Sequence, residues 1–193
     1  MKDLMRYAAA LDGAGARGPA PVDKWNPEFC GDIDLVIKSD GVWFYEGTPI
    51  GRAPLVQLFS TVLKREGDDY FLVTPVEKLG IEVEDAPFLA VLMSAKGEGR
   101  AQELTFTTNV GEEVTVGADH ALRFEINEET GEGKPYFEVR SGLEALVARA
   151  VFYDLVALGE THHLEGEDQF GVWSGGVFFP MTAQANLMGA SDG

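Results

Sequence analysis

The sequence is poor in the residues that most often declare a chemistry. It holds one cysteine, Cys30, and three histidines in 193 residues. A single cysteine excludes an internal disulfide framework, and the histidines at positions 120, 162 and 163 show no HExxH spacing and no cysteine partner for zinc. Basic residues are scarce: 15 Lys+Arg stand against 32 Asp+Glu, a formal net charge of −17. A field of that sign repels phosphate backbones and anionic bilayers, so neither nucleic acid nor a membrane surface is expected as a partner. No window reaches the ~20 apolar residues of a spanning helix. The N-terminal apolar run at 4–11 is interrupted by Arg6 and too short for a secretory signal. The chain is therefore expected to be cytoplasmic. Phosphate loops find little support: there is no GxxxxGK, the GxGxxG spacing occurs only at 13–18 inside the linker-like DGAGARGPAPVD with no strand before it, and Gly97-Glu98-Gly99 and Gly131-Glu132-Gly133 are too short to cradle a phosphate.

What is present is material for a core, since 45% of residues are apolar. Residues 1–24 read as an arm, a short helix over 2–11 followed by the linker-like DGAGARGPAPVD. From Asp32 the pattern turns β. Ile33, Leu35 and Ile37 alternate with Asp34, Val36 and Lys38, a half-buried strand, Ser39-Asp40-Gly41 is a turn, and 42–46 is the returning strand of a hairpin, broken by Gly47-Thr48-Pro49. Pro54 then suits the first turn of a helix, and Leu55, Leu58, Phe59, Val62 and Leu63 follow at amphipathic spacing, ending at Glu66-Gly67. Strands are expected at 70–74, 79–84, 88–94, 103–109 and 114–116, with a hairpin at Val110-Gly111.

The second half repeats this order faintly. Leu122, Phe124 and Ile126 alternate as Ile33, Leu35 and Ile37 do, a polar turn spans 128–134, and 135–138 matches 43–46. The stripe Arg140, Leu143, Leu146, Val147, Ala150, Val151 then matches Arg52, Leu55, Leu58, Phe59, Val62, Leu63 and predicts a second helix, followed by strands at 171–174 and 177–179. The expected fold is α+β: two related halves, each a β-hairpin followed by a helix and further antiparallel strands. The expected division is an arm at 1–24, a first domain at 25–86 and a second at 87–193.

Each reactive group has a plain structural reading beside its chemical one. Cys30 is the only possible thiol nucleophile, but no base is near it in sequence, and a small buried residue in a turn explains it. Asp32 and Asp34 share one face of a strand, where a carboxylate pair binds a hard cation or shares a proton; a solvated strand face explains them equally. His162-His163 lies in an acidic loop with Glu160, Glu165 and Asp168, a weak zinc pattern. Glu46 with Arg52 and Glu138 with Arg140 flank the two helix starts. They read either as anion sites at helix N-termini or as Glu–Arg bridges that pin each hairpin. Trp25, Trp43, Phe44, Tyr45 and Tyr136 are core aromatics, or the wall of a groove.

One block is specific. Residues 25–52 carry Trp25-Asn26-Pro27, Cys30-Gly31, Asp32-Ile33-Asp34 and Gly41-x-Trp43-x-Tyr45-x-Gly47-x-Pro49-Ile50-x-Arg52, and 74–77 reads Thr-Pro-Val-Glu. These elements resemble the bacterial DUF1285 family, over about 25–179. The resemblance implies a two-part α+β fold with repeated structural motifs and no assigned reaction, substrate or cofactor; a role in ligand sensing or signalling has been suggested for such proteins. The expectation is thus a non-enzymatic module that binds a small molecule or a protein partner, with no cofactor, no metal and no catalytic residues. Its lining is expected to draw on Trp43, Tyr45, Arg52, Thr74 and Arg140. The alternative is a hydrolase-type enzyme using Cys30 or the Asp32/Asp34 pair.

Overall fold

Alternation of apolar and polar residues dominates the chain, and the computed structural model turns it into sheet. The structure describes residues 8, 9, 11, 18–126, 133–164 and 166–181. Much of the expected N-terminal helix and of the turn at 128–134 lies outside them. Two units separate: Met1–Pro87 with Ser141–Leu143, and Phe88–Arg140 with Glu144–Gly193.

The first unit carries a six-stranded sheet in the order β3-β2-β1-β6-β5-β4. Its strands are β1 (Phe29–Ile37), β2 (Trp43–Tyr45), β3 (Thr48–Pro49), β4 (Leu63–Glu66), β5 (Asp69–Val73) and β6 (Lys78–Val83), with helix α1 (Ala53–Ser60) between β3 and β4. The β1–β2 turn forms where expected: Asp40 Oδ1 accepts the Val42 N–H at 3.0 Å and Gly41 takes φ 80°. Leu35, Ile37, Trp43, Phe59, Val62, Leu63 and Leu72 are buried. Two expectations fail here. Gly47-Thr48-Pro49 does not break the hairpin, because Glu46 and Gly47 both adopt positive φ and turn the chain into a further short strand, β3. The helix stops at Ser60, and Leu63 opens β4. Val62 and Leu63 fit a helical stripe and a buried strand start equally well, and tertiary pairing with β5 decides between them.

The second unit holds β7 (Phe88–Lys96), β8 (Glu103–Thr108), β9 (Glu113–Thr115), β10 (Leu122–Ile126), β11 (Gly133–Arg140) and β12 (Leu143–Val147) in the order β10-β11-β12-β7-β8-β9. Helix α2 (Arg149–Ala157) leads from it to a three-stranded sheet of β13 (Glu160–Leu164), β14 (Glu167–Ser174) and β15 (Val177–Pro180). The helix expected from Arg140 is a correction. Ser141 and Gly142 take φ 45° and 75°, a two-residue hairpin turn, and send the chain back as β12. Leu143, Ala145 and Val147 alternate into the core, a period of two that the further apolar residues Leu146 and Ala150 masked.

The fold is therefore mostly β: the first half runs hairpin, helix and further antiparallel strands as expected, whereas in the second the helix follows the last strand of the six-stranded sheet. The two six-stranded sheets share one order: each is a pair of three-stranded meanders closed at the centre by its first and last strands running parallel, β1 with β6 and β12 with β7.

Candidate functional site

The expected site residues scatter through this framework. Arg52 is the N-cap residue of α1, in extended conformation and exposed. Its side chain has no ion pair or hydrogen bond among the described residues, so the expected Glu46–Arg52 bridge is not made. It borders an open pocket of about 410 Å³ lined by Gly51, Arg52, Ala53, Pro54, Leu55 and Leu58. The helix end supplies little else for an anion. Pro54 has no N–H, and the Leu55 and Val56 N–H groups both donate to the Arg52 carbonyl, at 3.0 and 3.2 Å. The guanidinium, not the helix dipole, is the polar feature of this pocket.

The other four residues lie outside that lining. Trp43 is 1% exposed, and its indole Nε1 has no hydrogen-bond partner among the described residues. Tyr45 is half-buried on β2, paired with Leu35. Thr74 is buried and acts as a turn clamp: its Oγ1 accepts from the N–H groups of Glu77 and Val76, at 3.0 and 3.3 Å. Arg140, at the end of β11 in the second unit, donates to Glu112 Oε2 at 2.6 Å and stacks over Phe88 at 5.0 Å. Burial holds its pKa below the ordinary arginine value, with Glu112 opposing that trend. A half-buried arginine that has found its carboxylate is a structural strut.

The reactive groups are equally dispersed. Cys30 is exposed rather than buried in a turn, and its Sγ donates to the Glu28 carbonyl at 3.4 Å. Asp32 and Asp34 are exposed on β1, and Asp32 lies over Gly80 of β6, where a side chain would collide with its carboxylate. The expected loop around His162-His163 is a strand, β13, so the two rings point to opposite faces. His162 packs against Trp173 and Phe178, with centroids 5.2 and 5.5 Å away, while His163 Nδ1 meets Asp168 Oδ1 at 2.8 Å. His120 Nδ1 is bonded to the Glu138 carbonyl. No group of three or more His, Cys, Asp or Glu side chains suited to a metal occurs among the described residues.

Sequence reading missed a buried polar cluster in the second unit. Gln102 Nε2 donates to the Trp173 carbonyl at 2.7 Å, and Ser174 Oγ accepts from Leu104 N at 2.9 Å while donating to the Val116 carbonyl at 2.7 Å. The only signal for it was polar residues beside apolar strand ends. No described helix is long and apolar enough to cross a membrane.

Comparison with known proteins gives a consistent answer. Residues 20–86 match the family described as "Domain of unknown function (DUF1285), N-terminal domain", and 87–181 match "Protein of unknown function (DUF1285), C-terminal domain". A crystal structure of a DUF1285 family protein from Silicibacter pomeroyi DSS-3 is 51% identical, with a TM-score of 0.84 over 93% of this chain and 96% of that one. A second, from Shewanella baltica OS155, is 29% identical with a TM-score of 0.51, over 65% of this chain and 91% of that one. No curated protein matches.

Proposed function

Because the chain belongs to the DUF1285 family, whose description names no activity, function has to be argued from geometry, and we propose that it is a non-enzymatic binding module for a small organic anion with an apolar body. One observation carries the reading: the open pocket at the start of α1, about 410 Å³, combines a guanidinium that is unpaired among the described residues with a wall of Ala53, Pro54, Leu55 and Leu58. An arginine fixes a carboxylate or phosphate by a forked pair of hydrogen bonds, and the apolar wall rewards a hydrocarbon portion. In a chain with a net charge of −17, an unpaired cation at a pocket concentrates anions locally against the general field. A cytoplasmic sensing or signalling role, in which ligand occupancy is passed to a protein partner, accords with such a module. For the hydrolase alternative, none of Cys30, Asp32 and Asp34 makes a hydrogen bond to a basic side chain among the described residues, and the Cys30 thiol donates to the Glu28 carbonyl.

The test is a thermal-shift screen with short-chain and aromatic carboxylates, nucleotides and inorganic phosphate, on wild type and Arg52→Ala. A binder at 100-fold its Kd should stabilise by about 2.7 kcal/mol. The reading requires a shift from an apolar carboxylate or phosphate ester that Arg52→Ala abolishes and Arg52→Lys weakens. Shifts that survive Arg52→Ala, or no shift from any anion, would refute it.

A further inference from the structure

Both six-stranded sheets contain a nine-residue central strand that outruns one neighbour, and the two exposed edges are treated differently. On β1, strand β2 pairs only with Leu35 to Ile37. The remaining edge is kinked by a register shift around Gly31, which has φ 105°, and carries exposed carboxylates at Glu28, Asp32 and Asp34. Kinks and charged side chains are how sheet proteins keep an open edge from pairing with another chain.

The edge of β7 has a bulge only at its start, between Ala90 and Leu92, and neither a further register shift nor a carboxylate over 92–95. Strand β12 pairs with Phe88 to Ala90 only, and a bulge between Ala90 and Leu92 then carries β7 on, paired with β8 alone. The direction of the remaining backbone groups follows from the ladder. Val116 N donates to the Leu104 carbonyl, so Leu104 bonds on its β9 side. Its partner Ala95 therefore turns its N–H and C=O away from β8, and Met93, two residues earlier, does the same. Neither residue has another hydrogen-bond partner among the described residues. Residues 91–95 contain no charge, Leu92 is 64% exposed, and Val91, Ser94 and Ala95 are exposed with it.

We propose that this edge of β7 pairs antiparallel with the same edge of a second copy of the chain. The occupant follows from charge and register. Two chains of net charge −17 repel over most of their surface, and an uncharged strand edge offers contact without an acidic confrontation. A two-fold axis at Ser94 sets Met93 of one copy opposite Ala95 of the other, and each pair exchanges its N–H and C=O bonds reciprocally. The same register lays the Lys96 stem against the exposed Leu92 of the other copy, where its methylenes cover apolar surface while the ammonium stays in water. None of these residues is among those that line the Arg52 pocket, and the proposal does not depend on that pocket.

Sedimentation velocity on the full chain tests it, over roughly two decades of concentration around 10 μM. Ala95→Pro removes an N–H that faces the open edge and leaves the β8 ladder intact. Ser94→Lys places like charges together at the axis and needs no backbone change. The wild type should dimerise, and each variant that keeps the wild-type circular dichroism should dimerise at least about tenfold more weakly. In the wild-type dimer the Met93 and Ala95 amides should exchange more slowly than in Ser94→Lys. A wild type that is monomeric throughout, or a dimer that persists in folded Ser94→Lys, overturns the proposal.

Discussion

Replacing Ser174 by alanine tests one of the hydrogen-bonded links between the small sheet and the large one. In an antiparallel ladder a bonded residue pair exchanges two hydrogen bonds. Leu104 and Val116 make only one directly, from Val116 N to the Leu104 carbonyl at 3.0 Å. The reciprocal bond is spliced through Ser174, whose hydroxyl takes the Leu104 N–H and gives its own proton to the Val116 carbonyl. Leu104, Val116 and Ser174 are all 0% exposed, so water cannot replace the hydroxyl. The alanine variant leaves a buried N–H and a buried C=O unpaired, each costing about 1–3 kcal/mol. A loss of about 2–4 kcal/mol is expected, which for a chain of this size lowers Tm by roughly 5–15 °C. Urea unfolding followed by tryptophan fluorescence measures it, since Trp173 adjoins the site. Hydrogen exchange supplies the local readout: the Leu104 amide should lose protection by more than the global destabilisation requires. A change under about 0.5 kcal/mol, with Leu104 still protected, would show that the hydroxyl bridge contributes nothing.

Two further perturbations follow from close contacts and from charge. A Cβ on Gly171 would overlap the Phe179 backbone carbonyl and the Phe178 ring, whereas one on Gly80 meets mainly the Asp32 carboxylate, which can swing aside. Gly171→Ala should therefore destabilise by ~2 kcal/mol or more and Gly80→Ala by under about 1 kcal/mol, and chemical denaturation that reversed this order would refute the argument. Glu66 accepts a hydrogen bond from Lys78 and lies 3.0 Å from Lys64, and these partners, Lys78 first, hold its pKa below the usual carboxylate range. Its contribution to stability is complete above the unfolded-state pKa and is lost as pH falls through the lower native one. Carboxyl NMR titration should find Glu66 below a model peptide in the wild type and closer to it in Lys78→Gln; equal values in the two proteins would show that the contact is not populated.

Strands whose pairing and burial agree with local alternation were legible: the runs at 33–37, 70–73, 79–83 and 122–126 lie in sheet, with Thr74 and Glu84 just past their strand ends. So was the hairpin turn at Asp40-Gly41, because an Asx bond and a positive φ are chemical properties of those residues. The failures share a cause. Leu143, Leu146 and Val147 suit a helical stripe, and Leu143, Ala145 and Val147 suit a strand, so the sequence around β12 supports both periods. What decides is the parallel pairing with β7, more than fifty residues away in sequence. The candidate site was legible only at Arg52. An arginine without a partner is not a sequence property, and Arg140, equally prominent beside its own glutamate, turned to Glu112 instead.

The duplication shows the same limit from another side. Aligning 33–37 with 122–126 sets the first strand of one sheet against the fourth of the other. Shared strand order requires a different correspondence: β1 to β7, β4 to β10 and β6 to β12. In that correspondence the helices have no common place, since α1 lies between the meanders of the first sheet, while α2 follows the last strand of the second. The constant element is the parallel contact between first and last strands, which closes each sheet at its centre. Parallel neighbours need a long connection, and here the remaining strands supply it, so helices are free to occupy different positions. A repeat carried by non-local pairing leaves few local marks. The residues that looked like marks, Arg52 and Arg140, fall outside it: one caps a helix beside an open pocket, and the other braces a strand end. Their resemblance in sequence is therefore no evidence of a shared role, and the functional argument rests on Arg52 alone.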